Sequence, residues 1–219
     1  MVIKGIKTGE SQEGTKERQE SGLGILSIEG IDRSGKTTIN NLLQKHYDKD
    51  TGIKFKKFPD KTSAYGRMVY ECLESDLVRY KKNYCLYNSM DKNQGVEDLL
   101  DKGNSGVCII DRFDVTQYVY GKGLGVENPL EYLRYESDVV IYIDISAEES
   151  LRRGNELGDN DLIEEDSGIL SRVSGYYKEY LTELETKGRK VYYIDGTQTQ
   201  EKVFEDVLRI IETERLNYN

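Results

Sequence analysis

The stretch Gly30-Ile31-Asp32-Arg33-Ser34-Gly35-Lys36-Thr37 places two glycines five positions apart and closes on Lys-Thr. This G-x-x-x-x-G-K-[ST] spacing is what a polyphosphate cradle requires. The glycines let the backbone curl until several N–H groups face one anion, and a helix beginning near Gly35 adds its positive end. Lys36 can then reach the outer phosphates, and the Thr37 hydroxyl is placed to ligate Mg²⁺. Gly30, Asp32, Arg33, Ser34, Gly35, Lys36, Thr37 and Thr38 form the candidate triphosphate-binding segment.

The flanking elements suit that chemistry. The apolar run 25–28 reads as a strand directly before the loop. Directly after it, Ile39, Leu42, Leu43, His46 and Tyr47 recur at helical spacing. Further strands are expected at 53–58, 107–111, 138–145 and 190–195, the first strand spanning 24–29. Several of these are near-continuous apolar runs, as in parallel strands covered on both faces. Apolar stripes from Ile169 to Leu184 and from Val203 to Ile211 predict two more helices. This alternation predicts an α/β fold with helices on both sides of a parallel sheet. Residues 1–22 are polar and lack periodicity, so they read as a disordered extension of a single domain over 23–219.

Composition narrows the function. A net charge of −9 argues against nonspecific attraction to nucleic acid or an anionic membrane. No apolar run approaches the length of a membrane span. Cys72, Cys85, Cys108 and the single His46 do not supply a zinc set, and the cysteines read as small buried thiols in a reducing compartment. His46 and most of the 17 tyrosines read as packed side chains. The first thirty residues lack an apolar leader segment, and Glu10, Glu13, Glu17 and Glu20 argue against an organellar address. The expected location is cytoplasmic, with the nucleus open.

A guanine-reading NKxD is not found, and Ile109-Ile110-Asp111 is followed by Arg112 rather than a second acid. These features favour a small phosphotransferase over a switch or a motor. The sequence resembles the thymidylate kinase family through Glu29-Gly30-Ile31-Asp32-Arg33-Ser34-Gly35-Lys36-Thr37-Thr38, Phe58-Pro59-Asp60, Gly66 and Asp111-Arg112-Phe113. It continues through Tyr120, Asp144-Ile145-Ser146, Arg152-Arg153, Asp161-Leu162-Ile163-Glu164 and Ile194-Asp195-Gly196.

The resemblance implies a P-loop NTPase fold with a five-stranded parallel sheet, ATP as donor, Mg²⁺, a nucleoside monophosphate acceptor, a mobile lid and a homodimer. It implies catalytic roles for Arg33, Lys36 and Arg112, and adds Arg153 to the ATP-binding set. Arg33 matches the arrangement in which the loop itself supplies the arginine for the transferring group. In keeping with that, the lid candidate 154–166 contains no arginine. The metal set is Thr37 with Asp111, the latter through water. Asp32, Phe58, Lys61, Tyr87, Asp91, Arg112 and Tyr120 form the expected acceptor set.

Two acceptor positions depart from the family pattern. Lys61 stands where an arginine is usual. The family's aromatic-x-x-x-Arg pair, counted back from Asp111 without gaps, falls on Tyr87 and Asp91; a shift of one residue gives Asn88 and Lys92 instead. The expected activity is phosphorylation of dTMP. Another nucleoside monophosphate, or nucleotide binding without catalysis, stays open at this point.

Overall fold

The computed structural model describes residues 15–16, 18, 20–50, 52–157 and 167–218. Five parallel strands run β1 (Leu23–Glu29), β2 (Ile53–Lys57), β3 (Gly106–Asp111), β4 (Val139–Asp144) and β5 (Lys190–Asp195). Their order across the sheet is β2-β3-β1-β4-β5. Each expected strand is present, its ends within a residue or so of the expected limits.

The helices are α1 (Lys36–His46), α2 (Ala64–Glu74), α3 (Leu77–Asp101), α4 (Asp114–Gly123), α5 (Ala147–Leu157), α6 (Ser167–Thr186) and α7 (Gln200–Glu214). Side chains alternate across each strand, so the sheet has two apolar faces. Leu26, Ile28, Ile109 and Ile141 pack with Ile39 and Leu43 of α1 and Val203, Val207 and Ile211 of α7. On the other face, Leu23, Ile25, Cys108 and Ile110 meet Val96 and Leu99 of α3. Val140 and Tyr142 meet α4 and α6 beside them. β1 is the central strand and is buried along its whole length, so the loop that follows it emerges at the middle of the sheet's carboxyl edge. Ligands bind at that edge in open α/β sheets.

The long helix α3 has no continuous apolar stripe in the sequence, because polar residues interrupt its inner face: Asn88, Ser89, Asp91, Lys92 and Asn93 are buried between Tyr84 and Cys85 at one end and Val96 and Leu99 at the other. Asp76 caps its start, accepting from the Arg79 N–H at 3.1 Å. Ser63 caps α2 in the same way, accepting from Gly66 N–H at 2.7 Å.

The expected extension does not stand wholly apart from the domain. Arg18 is fully buried. Its guanidinium donates to the two Asp138 carboxylate oxygens at 2.7 and 2.9 Å and to the Glu136 carbonyl at 3.2 Å. Asp138 also accepts from the Ile25 N–H at 2.7 Å, so the ion pair closes the amino-terminal edge of β1. Residues 1–14 lie outside the described residues, as do positions 158–166 of the expected lid. No helix among the described residues is long and apolar enough to cross a membrane.

Candidate active site

Residues 30–37 form the expected turn between β1 and α1. Gly30 has φ 150° and Gly35 φ 99°, values that L side chains rarely adopt. A Cβ on Gly30 would lie 2.6 Å from the Ile143 carbonyl and 2.7 Å from Ser34 Oγ, so the tight bend needs a glycine there. Lys36 is buried and its ammonium donates to Ile31 O at 2.7 Å and Ser34 Oγ at 3.2 Å. Burial, reinforced by the Arg112 charge, pushes Lys36 down to about 7 despite nearby Asp32, Asp111 and Glu29.

Sheet order brings the second charged segment beside this loop. β3 is hydrogen-bonded to β1 with Ile28 paired to Asp111, and Arg112 N–H donates to Ile28 O at 3.2 Å. Arg112 itself sits at φ 67°, a left-handed turn that must be held by its surroundings. Glu29 holds it from the next residue on. Its carboxylate accepts from Phe113 N–H at 2.9 Å and Thr116 N–H at 3.1 Å, at the start of α4. Burial and Asp114 push Glu29 up to about 7, against the Thr116, Phe113 and Lys92 interactions.

Arg112 forms an ion pair with Asp32 of the loop, and the Tyr120 hydroxyl donates to the other Asp32 oxygen. Burial alone would raise the Asp32 carboxyl, yet Arg112, Lys36 and Tyr120 outweigh it and hold the group below its ordinary value.

A cleft opens beside this pair. Asp32, Arg112, Tyr120 and Thr116 form one wall, and Lys57, Phe58 and Pro59 at the end of β2 form another. The far end is made by Tyr70 and Leu73 of α2 and by Tyr84, Asn88 and Lys92 of α3. The last three are spaced four apart and share a helix face. Lys92 is buried and donates to Asn88 Oδ1 at 2.9 Å and Gln117 Oε1 at 3.1 Å. Its ammonium is pushed down to about 8 by burial, against the pull of Glu29, Asp91 and Asp114.

Of the expected acceptor set, the structure therefore brings together Asp32, Phe58, Arg112 and Tyr120. It places the other three elsewhere. Asp91 turns away from the cleft and braces the loop after Phe58, accepting from Asp60 N–H at 2.8 Å and from the Ser63 hydroxyl. Tyr87 packs against the cluster of Val69, Cys72, Tyr84 and Cys85 between α2 and α3. Lys61 is exposed and lies over the Tyr70 ring at 4.6 Å from its centre, behind the cleft wall. The register shifted by one residue, giving Asn88 and Lys92, is the one that faces the cleft. Phe58 also belongs to the core: it packs near Phe113 and fills the space left by Gly95, where a Cβ would lie 2.8 Å from its Cε1 atom. Lys57, Tyr70, Tyr84 and Thr116 were not expected. Their only sequence signals are proximity to Phe58-Pro59, the four-residue spacing in α3, and the turn after Arg112.

The two residues expected to hold a metal lie near one another, with Lys57 Nζ 3.2 Å from Thr37 Oγ1 and 3.5 Å from Asp111 Oδ2. Thr37 is exposed at the start of α1. Asp111 is buried, and neither of its carboxylate oxygens accepts a hydrogen bond from the described residues. A hydroxyl and a carboxylate whose one charged neighbour among the described residues at ion-pair distance is Lys57, 3.5 Å away, are hard oxygen donors, which suit Mg²⁺. On the opposite side of the loop, a second cleft is bounded by Ser34, Gly35, Thr38, Arg153, Gly196 and Gln198. Arg153 is clamped there, donating to Arg33 O at 3.1 Å and Gly196 O at 2.8 Å. Arg33 has φ 60° and its guanidinium lies against Gly154 of α5, where a side chain would collide with it.

A phosphate loop after the central strand, an arginine delivered from the neighbouring strand end, and clefts on either side define a P-loop nucleoside monophosphate kinase. The chain belongs to the thymidylate kinase family, whose model (Thymidylate kinase) matches residues 28–207. It is 30% identical over 200 residues to the thymidylate kinase of Caldanaerobacter subterraneus subsp. tengcongensis, covering 86% of this chain and 94% of that one. With the Schizosaccharomyces pombe thymidylate kinase it shares 24% identity over 196 residues, 85% of this chain and 90% of the other. The solved structure of a thymidylate kinase from Candida albicans aligns with a TM-score of 0.70 and 23% identity, over 90% of this chain and 93% of that chain. A deoxyadenosine kinase from M. mycoides with bound dATP shares the fold at a TM-score of 0.65 and 15% identity, over 86% and 99% of the two chains.

Proposed function

We propose that the protein transfers the γ-phosphoryl group of ATP to dTMP, giving dTDP and ADP. The observation that carries this reading is the Arg112–Asp32 pair, which joins a complete phosphate loop to a cleft lined by Phe58, Tyr70, Tyr84, Asn88 and Lys92. In this reading ATP enters from the Arg153 side and its phosphates occupy residues 30–37. The loop N–H groups and Lys36 then hold the β- and γ-phosphates. Arg33 neutralises charge on the moving phosphoryl group, as an arginine finger does when supplied within the same chain.

The acceptor enters the other cleft. Arg112 offers a planar fork to its phosphate, and Asp32 and Tyr120 keep that fork aimed. Asn88 and Lys92 meet the base edge, with Tyr70, Phe58 and Tyr84 as its apolar walls. Held this way, acceptor phosphate and donor terminus face each other, and positioning together with charge neutralisation supplies most of the rate. Thr37 directly and Asp111 through water would hold Mg²⁺, which when bound neutralises charge on the β- and γ-oxygens. A homodimer and a cytoplasmic location complete the reading, supported by the family resemblance and by the lack of pairing pattern among the cysteines. The charge of −9 supports nucleotides rather than nucleic acid as partners.

ADP release measured with dTMP, other nucleoside monophosphates and nucleosides tests the reading. The expected result is strong stimulation by dTMP, abolished in Lys36→Ala with the fold intact by circular dichroism. Stimulation by none of the acceptors would instead indicate a nucleotide-binding protein without transferase activity.

A further inference from the structure

Lys57 occupies a position that neither the fold nor the phosphate loop explains. Residues 53, 55 and 57 share a face of β2, and the first two are apolar and belong to the core cluster. The third is a lysine. Its ammonium reaches over the sheet's carboxyl edge to lie 3.2 Å from Thr37 Oγ1 and 3.5 Å from Asp111 Oδ2. Lys57 is also the register partner of Asp111 on the neighbouring strand. The same side chain lines the acceptor cleft that Arg112 borders, and it is 52% exposed while Asp111 is 1% exposed. It is therefore held by two oxygens on one side and is free to turn toward the cleft on the other.

We propose that Lys57 is an exchangeable cation shared between the metal site and the acceptor phosphate. Resting on the reading of Thr37 and Asp111 as the Mg²⁺-holding pair, the exchange follows from space and charge. A divalent ion between those oxygens cannot share the position with an ammonium, since like charges at such short range repel. Mg²⁺ arriving with the donor nucleotide displaces Lys57. The flexible four-carbon stem swings the ammonium into the adjoining cleft, where the acceptor's phosphate is the strongest available counter-charge. Metal binding at the donor side thus primes acceptor binding, and the coupling runs through one side chain.

Calorimetry on the full chain saturated with ADP, which does not phosphorylate dTMP, reads both halves of the exchange. Mg²⁺ titrated into the ADP-loaded protein is expected to bind Lys57→Gln about fivefold more tightly than wild type, because the competing cation is gone. Titrated with dTMP, the wild-type complex is expected to bind about fivefold more tightly with Mg²⁺ than with EDTA, and the variant equally in both. Lys57→Arg, which keeps the charge, should retain the coupling and guards against a folding artefact in the glutamine variant. Unchanged Mg²⁺ affinity in Lys57→Gln overturns the proposal. So does a loss of dTMP affinity that is the same with Mg²⁺ and with EDTA, which would make Lys57 an ordinary contact. Failure of wild type to bind dTMP in either buffer would refute the acceptor reading instead, and the Mg²⁺ titration would still decide the role of Lys57.

Discussion

Asp32 of the phosphate loop and Arg112 after β3 form an ion pair across two neighbouring strand ends, closed from behind by the Tyr120 hydroxyl. Both residues line the cleft beside the phosphate loop, and in the proposed reading the pair sets the position of the acceptor phosphate relative to the donor. A carboxylate on one edge of the Arg112 guanidinium restrains its side chain beside the cleft that both residues line.

Asp32→Asn keeps the shape and removes the charge. A hydrogen bond to a charged group contributes about 1.5–3 kcal/mol, so kcat/KM for dTMP should fall roughly tenfold to a hundredfold. Tyr120→Phe, which removes one hydroxyl, should cost roughly threefold to tenfold. Steady-state kinetics at saturating ATP would show this. An unaltered kcat/KM in Asp32→Asn would mean that Arg112 is aimed by something else.

Lys36 is pushed down to about 7 by burial and by Arg112. Phosphate oxygens entering the loop favour its ammonium and raise that value, so a lysine partly neutral at about pH 8 takes up a proton as ATP binds. At about pH 6 the group is already charged, and uptake should disappear. Binding enthalpies of Mg·ATP measured in phosphate and in Tris buffers should therefore diverge at the higher pH, by up to about one proton, and converge at the lower. Equal enthalpies at the higher pH would contradict the picture of a desolvated loop lysine.

The guanidinium of Arg33 rests against Gly154 on α5. In Gly154→Ala the new methyl group displaces the flexible end of the arginine, while alanine favours the helix by up to about 1 kcal/mol. The variant should melt at or slightly above the wild-type temperature yet lose roughly tenfold to a hundredfold in kcat, as when a transition-state donor is misplaced. A variant as active as wild type would remove Arg33 from the transferring group.

Asp91 anchors residues 58–63 through Asp60 N–H and the Ser63 hydroxyl. Asp91→Ala leaves both donors unpaired, which costs about 1–3 kcal/mol and lowers the melting temperature by roughly 2–4 °C per kcal/mol. Because Phe58 and Pro59 line the cleft beside Arg112 and not the one beside Arg153, KM for dTMP should rise while KM for ATP stays constant. Unchanged stability together with altered base preference would return Asp91 to the role of a base reader.

The amino-acid sequence by itself determined the phosphate loop and the strands. The loop works through consecutive backbone groups and the helix that follows them, so local spacing specifies it. The strands are short apolar runs buried on both sides. Arg112 was legible as a residue with chemistry, but its partner was not. Asp32 and Arg112 are eighty residues apart, and only the placement of β3 beside β1, with Ile28 opposite Asp111, brings them into contact.

At the acceptor end the sequence pointed to Asp32, Phe58, Arg112 and Tyr120, but the residues contributed by α3 were decided by tertiary structure. One residue of register turns a helix by about 100°, and counting along the chain cannot say which face of α3 is packed inward. Lys92 enters the sequence reading only through the shifted register, and lysines are seldom buried. Its burial is tolerated only because Asn88 and Gln117, from two different helices, accept from its ammonium. Asp91 reads as a ligand contact until the fold sets Asp60 and Ser63 against it. Nothing in the local sequence marks Lys57; its role depends on α1 and β3 placing Thr37 and Asp111 oxygens beside it. In each case a charged side chain took its role from groups distant in sequence, and only packing could choose them.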